Sequence, residues 1–165
     1  MRVRDCMSTH PIVIHAHDDY KSAFDVMEYH TLRHLPVLDE HDHLVGMLAE
    51  RDLLLAAARY LNCAVEVEDV MHAGVVTATP DMPLDQAALL MAHHHIGGLP
   101  VVKANGGGQA VIGIITESDI FRSISNPGTA APRSRPMPAP AFTQWRATER
   151  RNGDRRNGDR RMLTR

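Results

Sequence analysis

Residues 33–39 read Arg33-His34-Leu35-Pro36-Val37-Leu38-Asp39, and 64 positions later residues 97–103 read Gly97-Gly98-Leu99-Pro100-Val101-Val102-Lys103. The shared Leu-Pro-Val is the centre of a longer repeat. At the same offset Asp5-Cys6-Met7 falls on Asp69-Val70-Met71, Ala23 on Ala87 and Met27 on Met91. After a three-residue insertion the offset becomes 67, and Gly46, Glu50 and Asp52 fall on Gly113, Glu117 and Asp119. Ordered identities over a whole unit, broken by one gap at Gly106-Gly107-Gly108, identify a tandem duplication.

Each unit carries the same pattern. Ile12–Ile14 and Val75–Ala78 are short β-branched runs and predict strands. Tyr20, Ala23, Phe24 and Met27, and then Leu84, Ala87, Ala88 and Met91, follow the i, i+3, i+4, i+7 stripe of an amphipathic helix, with Pro83 suited to a first turn. Leu35–Asp39 with Leu44–Ala49, and Leu99–Lys103 with Val111–Thr116, predict hairpins, and helices follow at Arg51–Tyr60 and Ser118–Ser125. The order is β-α-β-β-α, twice. A unit of about 60 residues has little core of its own, so the two are expected to pack sheet against sheet.

The composition fits such a body. The chain has 165 residues, 44% of them hydrophobic but only 4% aromatic, so aliphatic side chains and methionine must fill the core. Cys6 and Cys63 have no partner motif, which speaks against a disulfide framework or a cysteine-rich zinc site. Neither a signal peptide nor a bilayer-length apolar run is evident, so a cytoplasmic protein without a transmembrane segment is expected. The net charge of −2 hides a segregation: residues 1–128 sum to −9 and residues 129–165 to +7.

Four strings, in order and duplicated, carry a family resemblance. They are Val3–Met7 with Val67–Met71, the two Leu-Pro-Val segments, Val45-Gly46-Met47-Leu48-Ala49-Glu50-Arg51-Asp52, and Ile112-Gly113-Ile114-Ile115-Thr116-Glu117-Ser118-Asp119. Over residues 1–125 the chain resembles a pair of CBS domains (named after cystathionine β-synthase), together called a Bateman module. The resemblance implies an α/β fold with repeat 1 at residues 1–62 and repeat 2 at 63–126. It also implies an adenosine-type ligand such as AMP, ADP or ATP in the cleft between repeats. A homodimer is expected through the helices that carry Leu53, Leu54, Ala57 and Ile120, Phe121, Ile124.

The spacing Thr116-x-x-Asp119 has two readings. It matches a capping box at a helix start, and it also places a hydroxyl and a carboxylate side by side where ribose hydroxyls and a phosphate can be met. The resemblance implies the second role for Thr116, Ser118 and Asp119. In the first unit Ala49 lacks the hydroxyl and cannot cap, a departure from the family pattern that weakens the first cleft; Asp52 remains, with Arg51 or Arg33 as a charge for phosphate. Leu99 is read as a core strand position, and Pro36 and Pro100, lacking an N–H, as suited to a strand edge or its first residue; by the resemblance these stretches wall the adenine together with Val76, Thr77, Ile12 and Val13. His34 directly precedes its Leu-Pro-Val and is expected at the cleft edge.

Eleven histidines raise the question of metal. His93-His94-His95 splay about 100° apart on a helix and cannot converge alone, and His15/His17 and His41/His43 lack a supporting cysteine pair or HExxH, so no metal site is expected. No nucleophile elbow, P-loop or dinucleotide fingerprint is present, and no enzymatic activity or obligatory cofactor is expected. Residues 127–165, rich in proline and arginine with Arg-Arg-Asn-Gly-Asp twice, are expected to be a disordered tail; contact with nucleic acid or an anionic surface is the electrostatic alternative. The sequence thus reads as a regulatory module that binds an adenine nucleotide and signals to an effector protein. The alternatives are a scaffold acting through its basic tail, and a metal- or redox-responsive switch using the histidines and Cys6.

Overall fold

The computed structural model describes residues 1–60 and 64–125; the expected tail, Cys63 and the repeat boundary at 62/63 lie outside the described residues. The first repeat runs β1 (Ser8–Thr9), β2 (Ile14–His15), α1 (Tyr20–His30), β3 (His34–Leu38), β4 (Leu44–Ala49) and α2 (Glu50–Arg59). The second runs β5 (His72–Ala73), α3 (Leu84–His94), β6 (Gly98–Asn105), β7 (Gly108–Thr116) and α4 (Glu117–Ser125). Short 3-10 turns at Val3–Asp5 and Val67–Asp69 precede β1 and β5.

The helices form where the stripes predict them. α1 starts at Asp19, whose carboxylate accepts from the Lys21 amide at 2.8 Å, and buries Tyr20, Ala23 and Met27. Phe24 is a correction: at 37% exposed it lies at the edge of the stripe rather than in the core. α1 ends at Thr31 (φ 54°) and α3 at the equivalent His95 (φ 54°), both left-handed caps whose amides return to the last helical turn. Pro83 stands one residue before α3 rather than within its first turn. The early apolar runs are shorter as strands than their sequence suggests. Only Ile14 of the first run is in β2, and only Ala78 of the second makes a bridge, parallel to Val101.

The two sheets are built alike. One has the order β2-β3-β4-β5 and the other β1-β7-β6, with Ala78 where β2 stands in the first. The β3–β4 ladder has a register shift at Val37/Leu38, and the β6–β7 ladder repeats it at Val101/Val102. β4 packs against β7, which brings the two sheets together.

The outer strands are exchanged. β1 belongs to the first repeat in sequence but pairs with β7, and β5 belongs to the second but pairs with β4. The hydrophobic cores follow suit. Val65 and Val67 are buried with Ile14, Leu35, Leu48 and Leu53, whereas Val3, Cys6 and Met7 are buried with Leu99, Val101 and Ile115. Each large aliphatic side chain so buried contributes about 1.5–3 kcal/mol. Two glycines admit the exchange. A Cβ on Gly46 would collide with the Met71 thioether, and one on Gly113 would stand 2.8 Å from Met7 Sδ and 2.9 Å from the Ser8 carbonyl. These close approaches explain why Gly occurs at both repeat-equivalent positions.

Matching backbone bonds clasp each lead-in to the opposite unit. Val3 and Arg4 donate to the Met82 and Pro80 carbonyls at 2.9 and 3.0 Å; Val67 and Glu68 donate to those of Asp18 and Ala16, both at 2.9 Å. No helix among the described residues is long and apolar enough to cross a membrane.

Candidate functional site at the starts of α2 and α4

Asp119 is the third residue of α4 and only 7% exposed. Its Oδ2 accepts from the Thr116 amide at 3.0 Å and from the Thr116 hydroxyl at 2.7 Å, and its Oδ1 accepts from Arg122 Nη1 at 3.0 Å. The amide half of the capping box is therefore formed, while the Thr116 hydroxyl bonds the carboxylate instead of a helix N–H. A carboxylate has about four acceptor sites, so these three bonds leave capacity for a further hydroxyl donor.

Asp52 occupies the same place in α2. Its Oδ2 accepts from the Ala49 amide at 3.1 Å, and its Oδ1 lies 3.1 Å from His72 Nε2. The inference that Ala49 removes capping is thus corrected. The amide half of the capping box needs no side chain at that position, and Asp52 supplies it. His72 comes from β5, the exchanged strand, and stands where Ser8 stands in the second unit.

The remaining nominated residues divide into three groups. Leu99, Pro100 and Pro36 are buried in the strands, with Pro36 opposite Met47 and Pro100 opposite Ile114. Ile12, Val13, Val76 and Thr77 are half-buried in irregular backbone before β2 and before the Ala78 bridge; Ile12 packs on the first core and Val76 on the second. Ser118 and Arg51 are exposed on the first turns of α4 and α2. Thr116 and Asp119 are brought into direct contact, whereas Arg51 and Ser118 are carried on the rim.

His34 does reach the junction of the repeats. It pairs with Ala49 in the sheet, and its ring faces Gly97, where a Cβ would lie 3.5 Å from His34 Cε1 and 3.7 Å from Glu117 Oε2. Burial, aided by the neighbouring Arg33 charge, pushes its imidazole below the ordinary value despite Asp52, Glu117 and Glu50. Sequence reasoning missed Cys6 as a neighbour of this region. Burial raises its thiol above the usual value, with Ser123 as a hydrogen-bond partner and Asp119 among the nearby charges. A thiol held protonated in this way is poorly disposed to redox chemistry. Arg122 and His72 were also missed. Arg122 stands three residues after Asp119 on α4, a spacing the sequence could have offered, whereas only the fold brings His72 to Asp52.

A cavity of ≈ 320 Å³ opens elsewhere, at the turn of the β3–β4 hairpin, with His17, Asp39, His41 and Glu68 in its wall. None of the nominated adenosine-site residues lines it.

Comparison with known proteins accords with this geometry. The family model for the CBS domain matches residues 3–59 and 67–126. The crystal structure of the CBS domain pair of protein MJ0100, in complex with 5′-methylthioadenosine and S-adenosyl-L-methionine, superposes with a TM-score of 0.68 at 34% identity, covering 76% of this chain and 96% of that one. CBSX2 in complex with AMP gives a TM-score of 0.65 at 26% identity, covering 75% of this chain and 96% of that one. Among curated proteins, L-aspartate semialdehyde sulfurtransferase of Methanocaldococcus jannaschii is 35% identical over 120 residues, 73% of this chain. The chain spans only 22% of that enzyme's length, and what it matches is a CBS module. With two matched repeats, exchanged lead-ins and an aspartate preset at each closing helix, the chain belongs to the CBS domain family.

Proposed function

We propose that this CBS pair is a non-enzymatic regulatory module that binds an adenosine-type ligand at the helix starts and passes a conformational change to an effector protein. One observation carries the reading: Asp52 and Asp119 are each oriented by a backbone amide, at 3.1 and 3.0 Å, at the start of the closing helix of their repeat. A carboxylate already positioned in this way can accept a ribose hydroxyl at its remaining acceptor site with little further ordering. The adenosyl ligands held by the MJ0100 pair and by CBSX2 support the ligand class. Thr116 adds a hydroxyl beside the second aspartate, so the second cleft is the stronger one. His34, at the junction, is placed to register closure of the repeats on each other.

Signalling requires that the ligand prefer one arrangement of the module, since equal affinity for two arrangements shifts nothing. The faces of α2 and α4 offer a docking route for a second copy. Leu54, Leu55, Phe121 and Ile124 are 55%, 53%, 72% and 70% exposed. Leu53, which the sequence pattern places with them, is fully buried and belongs to the first core. A homodimer through these helices is the expected assembly, checked by light scattering at tens of micromolar.

Thermal shift against AMP, ADP, ATP, S-adenosylmethionine and 5′-methylthioadenosine tests the ligand. A ligand at a hundredfold excess over its Kd stabilises by about 2.7 kcal/mol. No shift with any adenosyl compound overturns the proposal.

A further inference from the structure

The two lead-in clasps share a backbone and differ in charge. At the second-unit clasp, Arg2 and Arg4 both reach Asp81, Arg2 at 3.4 Å. The repeat-equivalent positions at the first-unit clasp are Glu66, Glu68 and His17. His17 Nδ1 lies 2.8 Å from Glu66 Oε2 and 3.9 Å from Glu68 Oε1. Two cations on one anion have been replaced by two anions on one imidazole. The adjoining cavity adds Asp39, Glu40 and His41, and neither lysine nor arginine is among the described residues that line it. Among the described residues, then, this corner gathers carboxylates and imidazoles without a lysine or arginine in the cavity wall.

The donors are also well spaced. One ligand atom from each of His17, Glu66 and Glu68 falls within 4.8 Å of the other two. Tetrahedral zinc, with bonds of about 2.0–2.2 Å, holds its ligands roughly 3.3 Å apart. The two His17–carboxylate distances, 2.8 and 3.9 Å, bracket that value, and all three side chains are exposed and free of core packing. Buried Val67 lies between the two glutamates, and its amide and that of Glu68 fix the segment to Asp18 and Ala16. We propose that His17, Glu66 and Glu68 bind a first-row divalent cation of the zinc class, which takes the place that arginines fill in the other clasp. The nitrogen donor favours such an ion over calcium or magnesium, whose ligands are oxygens. The hydrogen bond to Glu66, reinforced by Glu68, holds the His17 imidazole above its ordinary value. Proton and cation therefore compete for the same nitrogen.

The experiment titrates the metal-stripped full chain with Co²⁺, read by its visible absorption, and with Zn²⁺ by equilibrium dialysis. One tight equivalent per chain is expected, with affinity falling as pH drops from about 7.5 to 5.5. His17→Gln and the double variant Glu66→Gln/Glu68→Gln should each weaken that equivalent by about 10- to 100-fold or more. His93→Gln/His94→Gln should leave it unchanged. Circular dichroism of each variant without metal shows whether it is folded; all three positions are exposed, so wild-type spectra are expected. No equivalent bound below about 1 mM, a range at which only weak sites fill, overturns the site. Wild-type affinity in folded His17→Gln, or loss in His93→Gln/His94→Gln instead, overturns it equally.

Discussion

Asp52 and Asp119 are repeat equivalents held by equivalent amides, and everything else around them differs. Asp119 has the Thr116 hydroxyl and the Arg122 guanidinium; Asp52 has the Ala49 methyl and the His72 imidazole. The clasps show the same division, with equivalent backbone bonds and charges of opposite sign. In this molecule the main chain repeats and the side chains around it diverge. Carboxylate placement is thus shared by the two repeats, and under the proposed function the few neighbours that vary would set ligand preference.

The strongest way to break the equivalence is to fill a glycine. Gly46→Val meets the Met71 side chain, which can swing away, whereas Gly113→Val meets the Ser8 carbonyl oxygen, which is tied into the sheet. Overpacking costs about 1–3 kcal/mol. Gly113→Val is expected at or above the top of that range and Gly46→Val below it, read from urea midpoints.

Next in size is ligand affinity. Asp119→Ala removes a charged acceptor worth about 1.5–3 kcal/mol and should weaken adenosyl binding by about 10- to 150-fold. Asp52→Ala should cost less, because the first cleft has no hydroxyl from position 49 beside the carboxylate. Equal losses, measured by calorimetry, would erase the asymmetry.

A smaller effect sharpens the same point. Ala49→Thr gives the first helix start the hydroxyl that Thr116 gives the second, and one more hydrogen bond is worth about 0.5–1.5 kcal/mol. Thr116→Ala should lose a similar amount, and the pair of midpoints checks the transfer.

Smallest is the pH response of His34. Its folded value lies below the ordinary 6.5, so the unfolded chain binds its proton first. Its contribution to stability is whole above about pH 6.5 and is lost as pH falls toward the folded value. His34→Gln should flatten that part of the curve of stability against pH, while a change confined to alkaline pH would refute the assignment.

Much of this architecture can be read from residue spacing. The stripe at Leu84, Ala87 and Met91, the two hairpins and the Thr116–Asp119 pair all stand where their periodicity puts them. Local patterns do less well where a face has an edge, as at Phe24, or where a helix buries a residue expected on its outer stripe, as at Leu53. His72 is hidden for a different reason. Nothing in a periodic pattern tells whether residue 72 completes its own repeat's sheet or the other's, and only the exchange of lead-ins sets it beside Asp52. Glu66, Glu68 and His17 are obscured by the same exchange, because the glutamates lie 49 and more positions from His17 along the chain.

That exchange has a consequence for ancestry. A single ancestral repeat would carry a leader with no sheet of its own to join. Two copies related by a twofold axis would satisfy each other, leader to sheet, as in a domain-swapped dimer. Gene duplication followed by fusion could then join the copies through the segment between Arg59 and Val65 while every interlocking contact stayed in place. The tandem chain has the connectivity of such a dimer written as one polypeptide. In a single polypeptide the two clasps need not carry the same residues, as the arginines of one and the glutamates of the other show.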